Sequence, residues 1–237
     1  VSAKRYAPKG AFGRFVHSFE ETAIAFLLGM MTLVTFVNVV LRYGFNISLI
    51  WGLELTLVLF AWLVLFGISY CVEVTAHLGV DAITSLLPTK TKRVLAIISG
   101  LICIFYAVLL MKGAWDFWAP FAGFERTSGR WFPTGFANTR SNAFYESDQI
   151  PIPFDWLNAV LSNTFNSFTE NGKVVVETYE KMPRLVPYLI LPLGVALLLF
   201  RFIQATLGVI AGTRESLIVS HEAEEAVERA AAEDAKV

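Results

Sequence analysis

The chain has 237 residues, of which 55% are hydrophobic and 16% charged, with a formal net charge of -1. A soluble domain is roughly 45–50% apolar and about 25% charged. The charges here gather at the two ends and in the second half, and the long unbroken apolar runs between them argue against a soluble enzyme core. The balanced charge leaves no basic excess to displace counterions from a phosphate backbone, so nucleic acid is not an expected partner.

In chain order, residues 1–19 are polar and basic, with Lys4, Arg5, Lys9 and Arg14. The first apolar run, Ala23 to Leu41, is read as a spanning helix, since a span needs about 20 mostly apolar residues. It is too long for the apolar part of a cleaved leader, so it is expected to be retained and to serve as the insertion signal. A link with turn formers, residues 43–48, follows Arg42. The second span runs from Trp51 to Val72 and carries Glu54 near its start. Val80, Ile83 and Leu87 recur at helical spacing between His77 and Pro88, which predicts a short helix lying in the membrane interface near 77–87. Lys90, Lys92 and Arg93 flank a third span, Val94 to Met111. Residues 112–184 are polar and aromatic, and 119–184 are read as an insert. Within it, Pro151 and Pro153 introduce a helix over 154–168, with Phe154, Leu157, Leu161, Phe165 and Phe168 on one face. Such a stripe must be covered, by the membrane interface or by a partner. A second helix is expected over Lys173 to Met182. The fourth span, 185–212, carries Pro187 in its first turns, where a missing N–H is tolerated, and Pro192 deeper, where a kink is expected. The tail, 213–237, is acidic. The fold class is therefore all-α: an integral membrane protein with four transmembrane helices, a short interfacial helix and an outward-facing insert.

The short basic flanks set the orientation. The N-terminal segment and the Lys90–Arg93 loop fall on one side together with the C-terminus, so both termini are expected in the cytoplasm and the first link and the insert outside. Trp51 then joins Trp115 and Trp118 in an outer aromatic belt.

Ionisable groups inside a membrane are costly and mark function. Glu54 lies at the depth expected for Arg42 on the antiparallel neighbour, which predicts an Arg42–Glu54 ion pair that fixes the hairpin or docks a partner, the alternative being that each snorkels to the outer surface alone. Asn38, one turn before Arg42, is expected to join it or to make an interhelical contact. His77 and Asp81 stand four apart on one helix face. A metal site needs further ligands, so they are read as a polar contact with a partner or with the chain itself. Cys71 and Cys103 lie in apolar runs and are read as fillers. None of the three histidines, His17, His77 and His221, falls within a span, which argues against a haem-bearing subunit. No cofactor is expected. The spans offer neither the polar midplane of a transport path nor a catalytic motif.

The run Asn38-Val39-Val40-Leu41-Arg42-Tyr43-Gly44-Phe45-Asn46, then Trp51 and Glu54, then Leu65-Phe66-Gly67, then His77 and Asp81, resembles the small membrane subunit (Q component, DctQ family) of tripartite ATP-independent periplasmic (TRAP) transporters. The resemblance covers residues 20–118 and, through the four-span plan, the fourth span. It departs from the family at Glu73-Val74-Thr75-Ala76, where basic residues often precede the histidine, and in the insert, which is extra. It implies a non-catalytic scaffold in a bacterial inner membrane, partnered by membrane lipid, by a large multi-span transport subunit and by a periplasmic substrate-binding protein. It implies import of organic acids, with four-carbon dicarboxylates hinted at by the insert, driven by a sodium gradient. The rival reading from residues alone is a membrane-anchor or electron-transfer subunit of a redox complex.

Overall fold

The computed structural model describes residues 11–74, 88–127, 129–132, 135, 145–170 and 173–212. Helix α1 is Ala11–Gly44, α2 is Gly52–Glu73 and α3 is Thr89–Trp118, extended by a 3-10 turn at Ala119–Ala122. Then follow α4 (Asp155–Phe165), strands β1 (Ser167–Glu170) and β2 (Lys173–Val176), the single turn α5 (Leu185–Tyr188) and α6 (Ile190–Ile210). Among the described residues four helices are long and apolar enough to cross a membrane: Gly13–Gly44, Gly52–Glu73, Lys90–Ala122 and Leu185–Ile210. The fold is a helical membrane protein. The expected interfacial helix near 77–87 lies outside the described residues.

Two helices are longer than their apolar runs. At about 1.5 Å per residue, the 34 residues of α1 reach about 51 Å, well beyond a hydrocarbon core of about 30 Å. Polar positions such as Arg14 and Glu21 therefore extend the helix past its apolar part. Inside that part, hydroxyls are satisfied locally. Thr32 and Thr35 donate to the carbonyls of Leu28 and Met31 at 2.9 and 2.8 Å, and on α2 Thr56 likewise donates to Gly52 O at 2.8 Å.

The chain folds as two compact units. The first takes the described parts of Ile68–Ala107 and Leu198–Val237. Here Gly100 lets α3 approach α6. A Cβ on it would lie 2.3 Å from Thr206 Oγ1, so only glycine fits without movement. The Arg93 guanidinium donates to the carbonyl of Ile210, the last residue of α6, where a cation also complements the helix dipole.

The second unit takes the described parts of Pro8–Gly67 and Val108–Leu197. Leu27, Phe66 and Ile190 form one buried cluster, with Trp62 and Leu65 packed against it. Gly194 lets the fourth span approach α2 closely, since a Cβ there would lie 2.7 Å from Leu65 Cβ. The fourth span is interrupted at Leu189, between α5 and α6. Pro192 has no N–H to give the carbonyl of Tyr188, and Trp62 Nε1 donates to the carbonyl of Pro187 at 2.9 Å. The helix is broken at Leu189, close to the expected kink, with an indole bonded to a carbonyl just before the break.

The insert builds a second cluster in this unit, from Trp118, Ala122, Leu161, Tyr179 and Leu185, with Trp115, Phe124, Leu157 and Phe165 against it. This corrects the expected cover of the apolar stripe. Leu157, Leu161 and Phe165 are covered by the chain itself, while Phe154 stays exposed. The helix also ends at Phe165, and Phe168 belongs to β1, paired with Val175 in an antiparallel hairpin. A second correction concerns 173–182. The β-branched run Val174-Val175-Val176 favours a pleated conformation, and Lys173–Val176 is a strand rather than the start of a helix.

Candidate functional site

The polar groups of the second unit converge where the insert returns to α2. Residues 145–150 form a strap. Gln149 N–H donates to Glu54 Oε2 at 2.7 Å, in the first turn of α2. Arg184 grips the strap from the other side, with Nε and Nη2 each 2.6 Å from an oxygen of Asp148. The Tyr145 N–H donates to Asp148 Oδ2 at 2.8 Å, and the Arg184 guanidinium carbon lies 3.4 Å from the Tyr145 ring centroid. Lys181 Nζ donates to Glu146 O at 3.0 Å, and Met182 N–H to Ile150 O at 2.9 Å. The bidentate arginine holds the Asp148 carboxyl below the usual carboxylate range.

Beneath the strap lies an open groove of about 670 Å³. Its walls are apolar: Leu53, Leu57, Val58 and Ala61 on α2, and Tyr188 and Leu191 on the fourth span. Glu54, Asp148, Gln149 and Arg184 line its polar end.

The expected residues distribute as follows. Glu54 is joined to the strap, not to Arg42, whose side chain is exposed. The insert folds back across α2 and offers a backbone N–H where the hairpin alone would have offered only arginine. Asn38 closes the first link: its Oδ1 accepts from Leu49 N–H at 3.1 Å, while Asn46 takes a left-handed φ of 55°. Trp51 is half-buried just before α2. His77 and Asp81 lie outside the described residues. Among the described residues no group of three or more His, Cys, Asp or Glu side chains could hold a metal.

Two polar constellations were missed. In the first unit, Arg201 Nη1 donates to Glu73 Oε1 at 2.8 Å and to Gln204 Oε1 at 3.0 Å, with the Arg201 and Glu73 side chains both 0% exposed. Each is a charged residue within or at the end of an apolar span, and that signal was available. In the second unit, Asp116 binds Lys112 at 2.9 Å and accepts from both the N–H and the hydroxyl of Thr127, fastening the loop after α3. These groups are tied to one another. The arrangement latches one segment of the chain to another.

Residues 31–138 match the family model described as tripartite ATP-independent periplasmic transporters, DctQ component. A protein of Vibrio cholerae named C4-dicarboxylate TRAP transporter small permease protein DctQ is 38% identical over 227 residues, covering 93% of this chain and 84% of its own. Proteins of the same name from Pseudomonas aeruginosa and Rhodobacter capsulatus are 38% and 24% identical, covering 45% and 82% of this chain and 63% and 78% of their own. The Vibrio match leaves too little of the chain uncovered for the insert to fall outside it, whereas the family model ends at residue 138.

Proposed function

This chain belongs to the DctQ family, the small permease subunits of tripartite ATP-independent periplasmic transporters, and from that membership we propose that it is the scaffold subunit of an importer of four-carbon dicarboxylates. In this reading it pairs with a large multi-span subunit that carries the substrate and ion sites, and a periplasmic binding protein delivers the substrate. A sodium gradient supplies the energy. The relatives are permease subunits rather than enzymes, and the redox-anchor reading gives way to them.

The match to the Vibrio cholerae small permease, extending through the insert, carries the substrate assignment. The lipid- or partner-facing helices fit a scaffold: Phe26, Phe36, Phe60, Leu101 and Phe105 are all exposed apolar side chains. Both termini lie in the cytoplasm of the bacterium, and the strap and insert face the periplasm. Asn38, Arg42, Trp51, Glu54, His77 and Asp81 act through the link, the strap and partner contacts, not through chemistry on the substrate.

Uptake of labelled succinate by cells that lack other dicarboxylate carriers, but carry this subunit with its two partners, tests the proposal. Uptake should need external sodium and fail when choline replaces it. Sodium-independent uptake, or preference for an unrelated acid, overturns the assignment. Cysteines introduced at Ser2 and Ser220 should react with impermeant reagents only from the cytoplasmic side, and one at Ser141 only from the periplasm.

A further inference from the structure

The groove beneath the strap has dimensions and charges of its own. Along α2 it runs from Leu53 to Ala61, about 12 Å at ~1.5 Å per residue, within the depth of one leaflet, about half of a ~30 Å hydrocarbon core. The strap crosses its polar end, held there by Glu54 on one side and Arg184 on the other. A transmembrane helix running along the groove would meet the strap. A molecule that ends in a headgroup at that level would not.

The polar end also has a sign. Of the charged groups that line it, Glu54 and Asp148 stand against Arg184, leaving one carboxylate in excess. Asp148 is matched by Arg184, so the excess falls at Glu54, which accepts a neutral N–H. Arg184 uses two N–H bonds on Asp148, leaving three of its five donors for another anion.

We propose that this groove is a binding site for one outer-leaflet phospholipid with a primary-amine headgroup: an acyl chain on Leu57, Val58 and Ala61, the ammonium at Glu54 and the phosphate at Arg184. An acidic phospholipid without an amine gives Glu54 no counter-charge. The lipid fills apolar space that the fold leaves beside the broken fourth span, and it tethers the strap to the bilayer. The choice of leaflet rests on the orientation given under Proposed function; the headgroup preference does not.

The test uses the full chain in nanodiscs with equal amounts of phosphatidylethanolamine and phosphatidylglycerol, each doped in turn with a photocrosslinking analogue, with and without the large subunit. The ethanolamine analogue should label peptides of α2 and the strap about tenfold more than the glycerol analogue, a difference of ~1.4 kcal/mol. Glu54→Gln should erase that preference. Leu57→Trp, which fills the groove, should abolish labelling while helix content and association with the large subunit stay as in the parent. Equal labelling by the two analogues, or labelling unchanged by Leu57→Trp, overturns the site. Loss of labelling when the large subunit is added, or loss of association in Leu57→Trp, assigns the groove to a partner and also overturns it. Inverted topology in the cysteine experiment would change the leaflet and leave the headgroup preference standing.

Discussion

Arg201 and Glu73 have no exposed side-chain surface, and each supplies the other's counter-charge. Breaking such a pair from one side leaves a buried charge and costs about 3–5 kcal/mol, whereas removing both charges can be nearly neutral. Arg201→Gln alone should therefore destabilise the purified protein severely, and adding Glu73→Gln to it should recover most of the loss. Additive losses in thermal unfolding of the two single variants and the double would contradict the pairing. Asp148 makes a pH-dependent prediction outside the spans. Arg184 depresses its folded pKa, so the stability it gives is present above the unfolded value of about 4 and is lost as pH falls through the folded value. Proteolysis of the strap should be slow at neutral pH and accelerate in acid below about pH 4, and Asp148→Asn should be fast at both. A parent strap equally resistant across that range would show that the ion pair does not hold it.

Helix contacts are set by small residues as much as by large ones. Gly100→Ala puts a methyl into Thr206 Oγ1 and should lower the melting temperature, and Thr206→Ala in the same chain should restore much of it. No recovery would mean that the two helices are not closed at that point. The spans were legible because apolar length is a one-dimensional signal. Arg42 and Glu54 were read as a pair because depth along neighbouring helices can be counted, but the strap that takes Glu54 comes from 95 residues away and has no local cue. The same holds for Glu73 and Arg201, 128 positions apart. The hairpin was available. Asn171-Gly172 beside three valines is a strong turn-and-strand signal, and the helical reading of 173–182 gave it too little weight. The stripe on α4 was identified correctly at Leu157, Leu161 and Phe165, but its cover is the aromatic end of α3, which sequence periodicity does not reveal.

At the scale of the whole molecule, the polar fastenings among the described residues include the Glu73–Arg201 pair in one unit and, in the other, the Glu54–Gln149 and Asp148–Arg184 strap and the Asp116–Thr127 latch. These bonds tie one segment of the chain to another, which fits the proposed scaffold role. Its central role is best tested by omission. The large subunit is reconstituted in liposomes with and without this chain, an inward sodium gradient is applied, and labelled succinate uptake is followed after adding the loaded binding protein. Uptake should require both membrane subunits, with this chain alone giving none. Full-rate uptake by the large subunit without this chain, or uptake by this chain alone, would contradict the scaffold role.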